Sequence, residues 1–347
     1  MEAAHRSGIV ATLVAALLAG CAAPSASPVI ENPANTSTPM PIIVEASVAP
    51  PIEVAVPSEP QPPQPPAPPQ PPVLALACGG PAKQGGAILC RALPGATITL
   101  DGKPVAVADP SGVVVIGLTR SQGSPAKVTM LPVGTGEAQQ SVVSGSTEVE
   151  VLPRKDTVSK FEMECRRIAP QSPADKRHAE VSWVRKDRAM KAFNTPLAPV
   201  GFVKPADGPY SSAFGVTRTY VPKTKDCEGS TSVHKGQDIA IPTGTEIHAP
   251  MAGTVLLADP DLFYEGGAVF LDMGRGLVSI TMHMSRIDVK DGETVAQGQV
   301  LGLSGATGRV TGPHLHWAIK YRNVMSDDRG TDIWLDPLLM LDLKAPG

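Results

Sequence analysis

The sequence predicts an all-β domain at the C-terminal end, preceded by a small β-sandwich and a helical linker. Three observations predict it. Across residues 196–340, short apolar runs alternate with glycine and proline, as in "GTVLLA" (253–258), "AVFLDM" (268–273), "LVSITMHM" (277–284), "QVLGLS" (299–304) and "HLHWAIKY" (314–321). Residues 78–155 repeat the same style over a shorter span. Residues 156–195 instead carry one long stretch without a breaker, "SPADKRHAEVSWVRKDRAMKAF". Short runs bounded by turn residues read as strands, and their regular recurrence indicates a sandwich or a barrel. Composition agrees: the 347 residues include 33 glycines and 37 prolines, and only 4% are aromatic. The formal net charge of −3 argues against a dedicated nucleic-acid binder, which would carry a basic excess.

The chain opens on an export pattern. A short segment ending in "HR" leads into "IVATLVAALLAG" and then Cys21. That apolar run falls short of the roughly 20 residues a membrane-spanning helix needs, so residues 1–20 read as a signal peptide. "LAGC" (18–21) resembles the bacterial lipobox, which implies that Cys21 is lipidated and begins the mature protein. By the same resemblance, Ala22 in place of aspartate favours the outer membrane over the inner. Residues 21–73 form a proline-rich tether that includes "PSEPQPPQPPAPPQPP" (57–72). Such runs adopt polyproline II at about 3.1 Å per residue and hold a domain well away from a membrane. With Cys21 used for lipid, Cys78, Cys90, Cys165 and Cys227 remain, an even set in an exported protein. Three pairings are possible. Cys78–Cys90 and Cys165–Cys227 are favoured because each joins neighbouring segments.

Within the sandwich region, "ATITLDGKPVAVADPSGVVVIGL" (96–118) reads as strand, Asp-Gly turn, strand, Pro-Ser-Gly turn, strand, and "SVVSGSTEVEVL" (141–152) continues the pattern. Asp101 and Asp109 are turn residues, and no chemistry is visible here, so the region reads as a docking or spacing module. In the linker, Ser172 is a helix cap and Pro173 the first helical residue. Ala179, Trp183, Ala189 and Phe193 would form the seam of this helix. Its dense basic residues read as a solvated face, with His178 at the surface.

The chemistry lies in four of the seven histidines. In "GPHLH" (312–316), a strand's period of two points His314 and His316 the same way, about 6.6 Å apart along the backbone. In "VHKGQDIAI" (233–241), His234 and Asp238 flank Gly236, which reads as two strand ends meeting at a turn. His283 lies on the strand Leu277–Met284, whose alternation sends Leu277, Ser279, Thr281 and His283 to one side. A catalytic zinc wants three histidine or carboxylate ligands and an open fourth position, and a His-Asp-His set suits it. Two histidines would remain for proton transfer and charge stabilisation, and spacing leaves open which two. "LSGATGRVTG" (303–312) lacks the Gly-Lys-Ser/Thr ending of a phosphate loop and reads as a turn.

In order along the chain stand "SAFG" (212–215), "HKGQD" (234–238), "APMAGTV" (249–255), His283, "GETVAQGQ" (292–299) and "GPHLH" (312–316). This series, from about Pro205 to Asp336, resembles the lysostaphin-type (LytM-like) zinc metallopeptidases, a family of peptidoglycan endopeptidases. The resemblance implies an all-β catalytic domain of the swapped-hairpin type. It also implies zinc on His234, Asp238 and His316, with His283 and His314 as the catalytic pair. Departures from the family pattern are Thr281 where a tyrosine is usual, and Arg218, one position later than the usual arginine. The polar stretch "VPKTKDCEGSTSV" (221–233) also departs, and its Cys227 is a rival metal ligand. The implied substrate is the stem peptide of peptidoglycan, cut at the D-alanyl–diaminopimelate cross-link, by an outer-membrane lipoprotein facing the periplasm. Two rivals are a catalytically silent member that binds the wall or activates an amidase, and an envelope scaffold whose function lies in the sandwich. A protein partner is not readable from the residues.

Lipoproteins carry several acyl chains, because a single chain anchors weakly. Replacing Cys21 by serine is expected to move the protein from the membrane fraction to the soluble fraction on cell fractionation. An unchanged membrane distribution would reject lipidation at Cys21.

Overall fold

The computed structural model describes residues 76–79, 82–135, 141–196 and 198–343. The signal peptide, Cys21 and the proline tether lie outside the described residues. Among the described residues, no helix is long and apolar enough to cross a membrane.

The small domain packs two antiparallel sheets. One holds Leu76–Cys78, Ala87–Ala92 and Val113–Gly117; the other holds Lys103–Val107, Thr97–Leu100, Ala126–Thr135 and Ser141–Val149. Ile88, Ile98, Val114, Ile116, Val128 and Met130 fill the space between them. The sheets close because alternate residues of each strand are apolar, so each sheet offers one face to the other. A disulfide joins Cys78 to Cys90, which sit directly opposite one another in adjacent strands.

The domain is more than a spacer. Its sheet presents Leu89 and Val115 to the core of the C-terminal domain. The Tyr321 hydroxyl reaches the carbonyls of Val105 and Val115 at 3.0 and 3.1 Å. Asp109 forms a turn as expected, and its second oxygen also takes Arg275 at 2.6 Å in an almost fully buried ion pair. A Cβ on Gly117 would stand 2.7 Å from the Tyr321 ring, so the close approach of the two domains requires glycine there.

The linker holds the expected helix and, ahead of it, a strand that the sequence did not announce. Val158–Met163 is a strand that runs parallel to Thr217–Pro222, and a short helix, Cys165–Ile168, follows it. In "SKFEM", Phe161 and Met163 turn inward while Lys160 and Glu162 stay in water, a period of two that favours a strand. The long helix covers Pro173–Ala189 and starts as the sequence predicts. Ser172 Oγ accepts from the Asp175 amide at 3.0 Å, and the Asp175 carboxylate accepts from the Ser172 amide at 3.1 Å.

The expected helix seam does not form. Trp183 is 63% exposed and Phe193 46% exposed, while Ser182 and Ala189 are buried. Polar contacts seat this helix instead. Ser182 Oγ accepts from the Phe263 amide at 3.0 Å, Arg185 pairs with Asp259 at 2.6 Å, and Lys186 pairs with Glu265 at 2.5 Å. His178 is half-buried, with its ring against Phe263 and Nε2 at 2.6 Å from the Asp261 carbonyl. Cys165 is disulfide-bonded to Cys227, which ties the linker to the loop after Thr217–Pro222.

The C-terminal domain is built on an eight-stranded sheet. Its main path runs Tyr210–Ser212, Gln237–Ile239, Leu315–Tyr321, Leu277–Met284, Gly266–Asp272, Gly253–Leu262, Thr294–Val295, with Ile333–Leu335 added beside Leu315–Tyr321. Both faces are covered, so the central strands are almost continuously buried. One face packs Val255, Val269, Leu271, Leu315, Trp317 and Ile319. Trp317 meets no water, and its indole N–H donates to Ser279 Oγ at 3.1 Å, which satisfies its one polar group. The other face carries Phe270, Ile280 and Ala318 and meets Ala189 and Met190 at the end of the long helix.

That helix end is fastened by a buried ion pair. Arg322 and Asp272, both without side-chain exposure, meet at 2.7 Å. Arg322 also donates to the carbonyls of Met190 and Ala192 and lies 4.0 Å from the Phe193 ring centroid. Asp272 accepts from the Asn194 amide and side chain as well. Removing one member of such a pair strands a charge in the interior, which costs about 3–5 kcal/mol. Asp272→Ala is expected to lower the unfolding free energy by that amount in a denaturant titration and to release the segment after Ala189 to proteolysis.

Candidate metal centre and its groove

Sheet register builds the centre. Asp238 and His316 are direct cross-strand partners between Gln237–Ile239 and Leu315–Tyr321. Side chains directly opposite in adjacent strands point to the same face and lie close together. The strand begins at Gln237, ahead of the apolar run Ile239–Ile241, so Asp238 stands on regular sheet rather than in the turn. His234 comes back over the pair through Lys235 and Gly236. A Cβ on Gly236 would lie 2.6 Å from His316 Nε2 and 2.5 Å from the Trp317 carbonyl, so only glycine fits this crossing.

The three side chains converge. His234 Nε2 stands 3.0 Å from Asp238 Oδ1 and 3.0 Å from His316 Nδ1, and His316 Nδ1 is 2.8 Å from Asp238 Oδ1. All three residues are buried. His234 Nδ1 is 2.7 Å from the Ala213 carbonyl, which can only accept, so Nδ1 carries the proton and Nε2 a lone pair. Acceptor atoms converging in this way repel one another until positive charge sits between them. Ligands of a tetrahedral zinc at its usual bond lengths stand about 3.3 Å apart, close to the spacing found here. The donor set therefore fits a divalent metal.

Electrostatics point the same way. Burial by itself would raise the Asp238 pKa, but the facing imidazoles of His234 and His316 outweigh it and hold the carboxyl far below the usual carboxylate range. Burial lowers the His316 pKa, which favours the neutral ring a metal needs. Arg218 was set apart in the sequence only as an arginine out of place. Its Nη2 lies 2.5 Å from Asp238 Oδ2 and 2.8 Å from Ser212 Oγ, and its guanidinium packs on the Phe161 ring. It thus holds the carboxylate with Oδ1 turned to the histidines.

His283 reaches the site by breaking the strand's alternation. Its neighbour Thr281 is paired with Trp317 and lies buried on the opposite face, 1% exposed. Strict alternation would send His283 there too. Instead its φ is +66°, a left-handed conformation costly for a side chain with a Cβ, and the ring turns to the metal side. There its centroid is 4.9 Å from that of His314 and 6.0 Å from that of His316. His283 Nδ1 is 2.9 Å from the Thr307 carbonyl, and His314 Nδ1 is 2.9 Å from the Gly312 carbonyl. Each ring therefore keeps Nε2 as its free acceptor. His314 Nε2 stands 3.8 Å from Asp238 Oδ1. Burial, with the nearby His316 and His314, pushes the His283 pKa down to about 3, so that ring is neutral at neutral pH.

These rings open onto a groove of about 840 Å³. Ile280 and Met282 of the sheet line it, and so do Phe161 and Trp183 of the linker, which the sequence reading had not connected with the site. Cys227, the rival ligand, is disulfide-bonded to Cys165 and has no thiolate to offer. Lys235 is held below the ordinary lysine pKa by burial and then by the cations of Lys320, Lys186 and Arg309, which marks a positive field along the groove.

An antiparallel sheet that carries a buried His-Asp-His set beside two further imidazoles defines a metal-binding domain of the hydrolytic type. Residues 232–328 match the family model of peptidase family M23. The chain is 42% identical over 89 residues to peptidoglycan DD-endopeptidase ShyA of Vibrio cholerae, covering 26% of this chain and 20% of that protein. It is 35% identical over 105 residues to peptidoglycan DD-endopeptidase ShyC of the same organism, covering 30% of this chain and 24% of that protein. The matched stretches are thus about a quarter or less of those relatives' lengths. A crystal structure from Pseudomonas aeruginosa, described as a peptidase M23, superposes with a TM-score of 0.51 at 29% identity, over 76% of this chain and 96% of that one. That likeness takes in more of the chain than the residues the family model matches.

Outer partners of metal ligands usually contribute 10- to 100-fold in affinity. Arg218→Ala is expected to weaken metal binding by about that factor in a chelator competition, with His234, Asp238 and His316 all in place. Unchanged affinity would mean that Arg218 does not orient Asp238.

Proposed function

We propose that this chain is a zinc-dependent endopeptidase that hydrolyses peptide cross-links in bacterial peptidoglycan, at the D-alanyl–diaminopimelate bond. Lipidated Cys21 and the proline tether would anchor it in the outer membrane, facing the periplasm. The observation that carries this reading is the convergence of His234, Asp238 and His316 within 3.0 Å of one another, beside His283 and His314 in the same groove. The names of the Vibrio relatives support the substrate class, and the lipobox-like "LAGC" supports the anchor.

His234 Nε2, Asp238 Oδ1 and His316 Nδ1 would hold the zinc. When bound, it lowers the pKa of a bound water to about 7 and polarises a carbonyl. The chain's own residues do the rest. His314, its Nδ1 proton given to Gly312, turns Nε2 towards the ligand cluster and takes a proton from the attacking water. His283, its Nδ1 proton given to Thr307, offers a second Nε2 acceptor and shares with His314 in accepting the proton of the attacking water. Asp238, held on its far side by Arg218, keeps its remaining oxygen on the ligand cluster. The sheet floor of Ile280 and Met282 excludes water from one side of the substrate. A silent wall-binding member would have no use for two further imidazoles beside a complete ligand set.

Single substitutions separate these roles. His316→Ala is expected to lose both zinc and activity, because two ligands fill too little of the shell. His314→Ala should keep stoichiometric zinc and the fold while losing about 10²–10⁴-fold in turnover, and His283→Ala should behave like it. Metal analysis by mass spectrometry, paired with turnover of cross-linked muropeptides, reads both properties. If His314→Ala loses zinc while His316→Ala keeps it, the ligand set is misassigned. A wild-type protein that holds zinc but cleaves no muropeptide would refute the proposed activity.

A further inference from the structure

The groove's charges do not balance. Its carboxylates are Asp187, Asp238 and Glu265, and each already has a cation: Lys191 at 2.7 Å, Arg218 at 2.5 Å and Lys186 at 2.5 Å. Two more cations of the groove, Lys320 and Arg329, lean on Asp332 at 3.1 and 3.7 Å. Lys235 and Arg309 remain, and among the described residues neither has an ion-pair partner. Both nevertheless line the groove that the metal centre opens onto.

Aromatic faces, not carboxylates, hold these two cations in place. The Lys235 ammonium lies 5.3 Å from the Trp334 ring centroid. The Arg309 guanidinium lies 5.1 Å from Tyr220 and 4.7 Å from Tyr264, and its amide donates to the Tyr264 carbonyl at 2.8 Å. A ring face orients a cation without neutralising it, and it leaves the N–H groups free to bind an anion. Lys235 is exposed and Arg309 half-buried, so without these rings both would be spread over many rotamers. Here two are positioned on separate walls of one groove, Lys235 next to the ligand His234 and Arg309 on the loop that leads to His314. The positive excess of this groove stands against a formal net charge of −3 for the chain as a whole.

We propose that Lys235 and Arg309 bind carboxylates of the substrate, so that the groove selects an acidic peptide with free carboxylates near the scissile bond over the same peptide amidated. The inference rests on the endopeptidase reading and adds a specificity that the metal centre alone would not supply. Lys235 acts as a point charge, and Arg309 presents a planar edge suited to two-point contact with a carboxylate. Because both act in binding, their loss appears in KM and Kd more than in kcat.

The test uses zinc-loaded, full-length protein and two synthetic peptides cross-linked through D-alanyl–diaminopimelate, one with free carboxylates and one fully amidated. Kd is measured by calorimetry on the slowly cleaving His314→Ala protein, and KM and kcat on wild type. The free-carboxylate peptide should bind at least about tenfold more tightly, as expected for hydrogen bonds between charged groups. Lys235→Ala and Arg309→Ala should each remove about that factor for the free-carboxylate peptide and leave the amidated peptide unchanged. Lys235→Arg should retain most of the preference. Equal binding of the two peptides would overturn the proposal, and so would equal weakening of both by the alanine variants. Cleavage of both peptides without preference would sink the selectivity but leave the endopeptidase standing. Selective binding with no cleavage by wild type would do the reverse.

Discussion

Everything in the metal centre depends on one register. Asp238 and His316 face each other across two antiparallel strands, and a slip of one residue would send one of them to the opposite face. That register is held from the other side of the sheet. Ile239, Leu315 and Trp317 are fully buried there, and the Trp317 indole finds its hydrogen bond in Ser279 on the next strand. The apolar face thus places the polar one. Two acceptors brought to 2.8 Å by this pairing leave room for one more, and the Gly236 crossing supplies it as His234.

His283 illustrates how a site departs from the regularity that supports it. Its strand alternates cleanly as far as Met282, then one left-handed residue turns the imidazole through the sheet to the groove. Such a conformation persists only when its surroundings over-determine it. Here the Glu265 carbonyl accepts from the His283 amide at 2.9 Å, and Thr307 accepts from the ring at 2.9 Å. The strain falls on the one residue that it turns into the groove.

The segments before the C-terminal domain contribute to the groove rather than merely lead up to it. The linker adds a strand beside Thr217–Pro222, and the Cys165–Cys227 disulfide and the Arg167 contact with the Val310 carbonyl fasten it across the site. The long helix is seated by ion pairs to Asp259 and Glu265, and its end is clamped by Arg322 over Asp272. The sandwich shares core through Leu89 and Val115. Phe161 and Trp183 therefore stand at fixed positions on the groove wall although neither belongs to the metal-binding strands.

The sequence by itself determined the all-β character of the C-terminal domain, the strand Leu277–Met284 to the residue, the Ser172–Pro173 helix start and the five histidine and aspartate residues that line one groove. These are properties of periodicity, capping chemistry and local motif, which act over a few residues. The order of motifs from "SAFG" to "GPHLH" was equally readable. Tertiary structure alone decided the rest. No pattern in "LVSITMHM" announces that His283 leaves the face of Thr281, because a single positive φ is imposed by Glu265 and Thr307 from other segments. Arg218 looked misplaced because its role is set by Asp238, twenty residues away, and by Ser212. The strand inside the linker needed a partner at Thr217–Pro222 before its weak alternation could become a strand. The balance of charge along the groove, with Lys235 and Arg309 left over, emerges only when residues from six or more segments meet, since pairing is a property of space rather than of chain order.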